Sequence, residues 1–154
     1  MLDTPRLADS PLQHTAVIHL TIPRSSIQKE MGPAIEEVMT GLREQSITPE
    51  GPLFAHHLRM DPDSFDFEVG VPVAGPVRSN GRLRASHLPA SRVVQATYAG
   101  PYEGLHNAWS ELNDWIRGEG LIMGPNLWEV YRTGPESGSD PADWRTELNR
   151  PIVG

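Results

Sequence analysis

Residues 34–54, AIEEVMTGLREQSITPEGPLF, and residues 108–128, AWSELNDWIRGEGLIMGPNLW, are the stretches on which the fold turns, the second lying 74 positions after the first. Ala34 falls on Ala108, Ile35 on Trp109, Val38 on Leu112, Leu42 on Ile116, Ile47 on Leu121, Leu53 on Leu127 and Phe54 on Trp128. Apolar meets apolar at every one of these positions. Gly51-Pro52 and Gly124-Pro125 agree with a shift of one residue. Further on, Glu68, Val69, Pro72 and Val73 correspond to Glu147, Leu148, Pro151 and Ile152, now 79 positions apart. The added spacing falls in residues 134–143, whose Gly, Ser, Pro and Asp content reads as a loop. Self-similarity at a fixed offset marks a repeated structural unit.

Working outward, each half reads as strand, helix, strand, strand. Residues 16–22 alternate, with Ile18, Leu20 and Ile22 on one face and His19 and Thr21 on the other. Ser25 and Gln28 have the spacing of a capping box, but Gly32-Pro33 interrupts the run, so the main helix is expected to start there with proline at its first position. Ile35, Val38, Met39 and Leu42 give that helix its apolar stripe. A strand over 53–60 follows, then one over 66–73, where Phe67, Val69, Val71 and Val73 alternate with Asp66, Glu68, Gly70 and Pro72. Pro72 has no N–H, which places that strand end at an edge or bulge. The second half offers a strand over 92–98, a helix over 102–118 buried through Leu105, Trp109, Leu112 and Ile116, and strands over 127–132 and 145–152. Arg78, Arg82, Arg84 and His87 mark residues 75–89 as a crossover with solvated basic side chains and a short strand near 81–85. The expected organisation is one domain: a lead-in over 1–13, a first repeat over 14–75, a linker over 76–89 and a second repeat over 90–154.

One such unit buries too little apolar surface to stand alone. Two related by a pseudo-twofold axis give an α+β fold: duplicated strand–helix–strand–strand units in a mainly antiparallel sheet, with the helices on one face. The other face is then a shallow saddle, with a ligand cleft at the seam.

The net charge of −7 repels phosphate backbones and anionic lipid, so neither nucleic acid nor membrane is an expected partner. The absence of cysteine excludes disulfides, thiolate metal sites and a cysteine nucleophile. No stretch reaches the roughly 18 apolar residues of a membrane span. Asp3, Arg6 and Asp9 interrupt residues 1–11, which lack the apolar core of a signal peptide, and the expected location is cytoplasmic. His56, His57 and His106 lack metal-ligand spacing, and no G-x-S-x-G, P-loop or G-x-G-x-x-G motif is present, so neither metal nor cofactor is expected. The pattern assigns no oligomeric state.

The ordered set Tyr98-Ala99-Gly100-Pro101-Tyr102, then Leu105, Trp109, Leu112 and Trp115, then Gly124-Pro125-Asn126-Leu127-Trp128-Glu129-Val130-Tyr131 resembles the GyrI-like effector-binding family. Asp140-Pro141, Thr146-Glu147 and Pro151-Ile152 fit its C-terminal pattern, and Glu68-Val69-Gly70-Val71-Pro72-Val73 looks like its third strand. The resemblance runs over residues 14–153. It implies a duplicated strand–helix–strand–strand fold with a cavity at the pseudo-twofold seam. In regulators of the family this domain is joined to a helix-turn-helix DNA-binding domain and senses lipophilic, often cationic compounds. The lead-in here is too short for such a domain, so the resemblance implies a stand-alone member. Some stand-alone members hydrolyse cyclopropane-containing DNA-alkylating natural products, which makes a hydrolase the alternative.

Glu129 stands between Trp128 and Val130 in an otherwise apolar strand, at the place where the family carries its pocket glutamate. Alternation puts Leu127, Glu129 and Tyr131 on one face and Trp128 and Val130 on the other. With Trp128 and Val130 packed under the helices, Glu129 and Tyr131 face the saddle. The competing reading is an exposed strand glutamate bonded to a nearby arginine. Tyr131 suits a ligand wall or a proton relay, and the resemblance brings Tyr102 to the ligand as well. Trp109 lies on the buried helix stripe, with an indole edge available to a ligand; Trp128, Trp115 and Phe54 read as core. Under the offset, His57 is the counterpart of Tyr131 and Ala55 that of Glu129, giving a lopsided pocket. The expected function is to hold a hydrophobic or cationic aromatic small molecule, in sensing, sequestration or resistance. In the alternative, Glu129 is the general base or positioning group of a hydrolase and Tyr131 the donor to the leaving oxygen. A third reading is an interaction protein that inhibits a partner such as gyrase.

Overall fold

The computed structural model describes residues 1–60, 63–133 and 140–153. In chain order its elements are β1 (Arg6–Ser10), β2 (Gln13–Pro23), α1 (Ile27–Glu44), β3 (Phe54–Met60), β4 (Ser64–Pro72), β5 (Arg84–Leu88), β6 (Ser91–Ala99), α2 (Leu105–Gly118), β7 (Ile122–Met123), β8 (Leu127–Thr133) and β9 (Arg145–Val153). The architecture is α+β, with antiparallel pairing throughout the described ladders. Contacts divide the chain into a first unit of residues 11–90 and a second unit of residues 1–10 and 91–154.

The first unit orders its strands β3-β4-β2-β5. Ala34, Val38 and Leu42, four residues apart along one helix face, are fully or almost fully buried. Helix α1 does not begin at Pro33 as expected: it runs from Ile27, and Pro33 lies inside it. Tertiary packing therefore overrides the break, and the ladder forgoes the bond that an N–H at position 33 would donate. The Gln28 side chain, half of the expected capping box, lies outside what the structure describes, and no side-chain cap bond forms at Ser26. Pro72 pairs with Thr15 of β2, while pairing with β3 stops at Phe54 opposite Gly70, so the missing N–H falls beyond the neighbouring strand. Gly70 faces the backbone of Ala16 and Val17 so closely that any Cβ there would collide with the Ala16 carbonyl oxygen. The short strand expected near 81–85 sits at Arg84–Leu88, where it pairs with β2. Leu83 and Leu88 anchor this crossover in the core, and Arg82 pairs with Glu37 at 3.0 Å.

The second unit orders its strands β1-β6-β9-β8, with β7 paired to the end of β9. The strand β1 within the lead-in was not legible as one; it pairs with β6 from Arg6 opposite Gln95 to Ser10 opposite Ser91. Ala108, Leu112 and Ile116 of α2 bury against Val94, Ala96 and Tyr98 of β6 and Leu148 of β9. Trp109 and Trp115 pack at the margin of this cluster, and Phe54 and Trp128 are buried as expected. Tyr98 donates its hydroxyl to the Pro101 carbonyl at 2.8 Å, pinning the turn that leads into α2. Of the loop expected over 134–143, residues 134–139 lie outside the described residues. Its remainder forms a 3₁₀ turn, Pro141–Asp143, capped by the Asp140 carboxylate, which accepts from the Ala142 N–H at 3.0 Å.

Three strands of each unit follow a corresponding order, β3-β4-β2 in the first and β8-β9-β6 in the second, while the outer strands differ: β5 follows β4 in the chain and β1 precedes β6. Each also interrupts its ladder at an equivalent point: between His57 and Arg59 in β3, and between Tyr131 and Thr133 in β8.

Candidate functional site

Strand β8 places Glu129. Its register sets Glu129 opposite Leu148 of β9, and Leu148 opposite Ala96 of β6. Directly opposed residues share a face, and Ala96 and Leu148 pack under α2. Glu129 therefore faces the helix, and the expected assignment of Trp128 and Val130 to that side is corrected. Trp128 and Val130 belong to the opposite face, in register with Asn149 and Glu147. There a polar network forms: Gln95 donates to Asn149 at 2.9 Å and to Glu147 at 3.2 Å, and Arg132 reaches Glu147 at 2.9 Å.

Glu129 is only 8% exposed, and its two oxygens each take one neutral donor. The indole N–H of Trp109, on α2, donates to Oε2 at 2.7 Å, and the Tyr131 hydroxyl donates to Oε1 at 2.9 Å. Among the described residues no Lys, Arg or His pairs with this carboxylate. Arg132, three positions along β8, pairs instead with Glu147 at 2.9 Å. Burial pushes the Glu129 pKa up, while the bonds from Trp109 and Tyr131 partly hold it down. Burial also drives the Tyr131 pKa well above the usual phenol value, with the Glu129 charge beside it adding to the shift. Tyr131 therefore stays a donor at any ordinary pH.

Tyr102 lies in a 3₁₀ turn, Tyr102–Gly104, just ahead of α2. Its ring centre is 5.8 Å from that of Tyr131, edge-to-face at 69°, and 5.0 Å from that of Trp144, tilted at 36°. The structure thus brings four expected residues together, Glu129, Tyr131, Trp109 and Tyr102, and adds Trp144, which the sequence reading missed. The available signal was a lone indole in the polar run Asp140-Pro141-Ala142-Asp143 just before β9.

His57 belongs to the first unit. It is 7% exposed, stacked on Phe67 at 5.1 Å and tilted against Phe65 at 5.4 Å. Its Nδ1 is buried without a hydrogen-bond partner. Desolvation, with smaller contributions from His56 and Arg24, lowers its pKa to about 4, so the ring is neutral near pH 7. Ala55, the counterpart of Glu129, is buried opposite Val69 and brings no charge.

A family model described as GyrI-like small molecule binding domain matches residues 4–153. Among solved structures, the C-terminal domain of EcmrR superposes with a TM-score of 0.83 at 23% identity, covering 97% of each chain. EcmrR in its DNA complex gives 0.84 at 24% identity; 97% of the present chain spans only 57% of that one. A hydrolase encoded by lin2189 from Listeria innocua gives 0.67 at 13% identity, over 97% of this chain and 92% of that one. SAV2435 bound to tetraphenylphosphonium gives 0.68 at 12% identity, over 99% and 95%. At these identities the likeness is one of fold. No curated protein matches the sequence.

Proposed function

Because the chain belongs to the GyrI-like small molecule binding domain family, we propose that it holds a hydrophobic, cationic aromatic compound against the Glu129 carboxylate. One observation carries this reading. Glu129 is buried, accepts only from the neutral donors Trp109 and Tyr131, and has no basic side chain paired with it among the described residues. A buried carboxylate without a counter-charge is costly to a fold unless something supplies that charge. A ligand cation does so, and the rings of Tyr131, Tyr102 and Trp109 add apolar contact and cation–π attraction. Such a compound, tetraphenylphosphonium, is bound by SAV2435, which shares the fold.

The test compares tetraphenylphosphonium with neutral triphenylphosphine oxide by calorimetric titration of the purified protein. The cation should bind at least about tenfold more tightly, about 1.4 kcal/mol of charge preference. Equal affinities would remove the role given to Glu129.

The contact between the Tyr131 hydroxyl and a carboxylate of raised pKa also supports a hydrolase reading. Water would attack one carbon of a strained cyclopropane conjugated to a carbonyl as a ring C–C bond breaks. The electron pair of that bond passes to the carbonyl oxygen, which accepts a hydrogen bond from Tyr131, and Glu129 takes the water's proton and returns it to that oxygen. Incubation with a cyclopropane-bearing alkylator, followed by mass spectrometry, separates the readings: a water adduct formed over many turnovers means enzyme, and unchanged compound means binder.

A further inference from the structure

Each unit builds one arrangement, with different side chains. In the second, Tyr98, Thr146 and Tyr131 form one cross-strand row, and Ala96, Leu148 and Glu129 the next. The first repeats both rows with Leu20, Phe67 and His57, then Ile18, Val69 and Ala55. Four residues beyond Tyr98 stands Tyr102, and four beyond Leu20 stands Arg24, each the first residue of a 3₁₀ turn that leads into the helix. Two residues before Thr146 and Phe67 stand Trp144 and Phe65. The ring contact of Tyr102 with Trp144 has its counterpart in the Arg24 guanidinium, 4.4 Å from the centre of the Phe65 ring. Position for position, Tyr131 is exchanged for His57, Tyr102 for Arg24 and Glu129 for Ala55.

The exchange inverts the charge. Tyr131 donates to Glu129, but Ala55 offers His57 no acceptor. Nδ1 of His57 is buried without a hydrogen-bond partner, a state that costs a fold and calls for an explanation. The side chains whose charge bears on this ring are Arg24 and His56, both basic, and no carboxylate bears on it among the described residues.

We propose that the first unit holds a second site, of the opposite charge preference, in which His57 and Arg24 take the carboxylate of an organic acid. The imidazole donates its Nδ1–H to one carboxylate oxygen, the Arg24 charge attracts the anion, and half-buried Phe65 offers contact to the acid's apolar body. The ligand carboxylate then stands toward His57 as Glu129 stands toward Tyr131. The site does not depend on the reading of Glu129, since none of its residues belongs to the second unit.

Benzoate and benzamide test it, being alike in shape and different in charge. In calorimetric titration of the native protein, benzoate should bind about tenfold more tightly than benzamide, the worth of one charge-assisted hydrogen bond. His57→Phe should abolish that preference and leave tetraphenylphosphonium unchanged. Arg24→Gln should weaken benzoate about threefold or more through loss of its charge, with benzamide unaffected. Absence of benzoate binding, equal affinity for the two probes, or an intact preference in His57→Phe overturns the site. Should His57→Phe fail to fold, Arg24→Gln decides, and an unaltered benzoate affinity there is the refuting result. Glu129→Gln keeps the two proposals apart: it should spare benzoate, and a loss of benzoate in that variant would refute this site. A protein that binds benzoate but not tetraphenylphosphonium keeps this site and loses the other.

Discussion

Glu129→Gln removes one formal charge at almost constant volume, and the contacts around it show what survives. The glutamine Oε1 can accept from the Trp109 indole, and its amide can donate to the Tyr131 hydroxyl, so both hydrogen bonds persist with one direction reversed. The attraction for a cation does not persist. At an effective dielectric constant near 20, charges about 5 Å apart attract by about 3 kcal/mol, and partial solvent access trims this to about 2. Affinity for tetraphenylphosphonium should therefore drop about 30-fold, while triphenylphosphine oxide shifts by less than about twofold. Titration calorimetry at low ionic strength reads both. A second readout comes from linkage. Burial raises the folded-state pKa of Glu129, so between the unfolded value, about 4.3, and the folded one the native state binds more protons. Its stability contribution is then greatest at low pH and declines as pH rises through that window. Thermal midpoints of the native protein should fall relative to those of Glu129→Gln over the same rise. Equal loss of both ligands, or midpoints that diverge in the opposite sense, would refute the reasoning.

His57 works in the opposite direction. Its pKa falls from 6.5 to about 4 on folding, so stability is fully present above pH 6.5 and is lost as pH drops toward 4, by up to about 3 kcal/mol. His57→Phe, packed between Phe65 and Phe67, should flatten that acid limb in a pH series of thermal melts; an unchanged limb would mean another group is responsible. Pro33→Ala restores a backbone donor inside α1 at an exposed position and should stabilise by about 1–2 kcal/mol. The thermal midpoint should climb by several degrees, and a lower midpoint would show that the proline serves the fold.

Alternation made the strands legible, and the 74-residue offset pointed to a strand–helix–strand–strand series in each half. The family resemblance pointed to Glu129 and Tyr102, strand alternation added Tyr131, and the apolar helix stripe carried Trp109. What alternation could not supply was the side of β8 on which α2 lies. Leu127, Trp128, Glu129 and Val130 are all buried, at 3%, 2%, 8% and 9%, so apolar character does not distinguish the faces. Only the cross-strand row Ala96, Leu148, Glu129 does, and register is a property of paired strands rather than of one. Strand β1 was hidden for a related reason. Arg6, Leu7, Ala8, Asp9 and Ser10 have no apolar alternation of their own and take their conformation from pairing with β6. Trp144 escaped notice because ring contacts between residues 42 positions apart leave no periodic trace.

The bond from Trp109 to Glu129 joins a helix to a sheet through a single indole proton. That proton is a native spectroscopic probe. In a protein carrying ¹⁵N-labelled tryptophan, its resonance should move when the carboxylate gains a proton or a bound cation, so occupancy can be followed without any attached dye. Its rate of exchange with deuterated solvent would also report each moment at which the helix lifts from the strand beneath it.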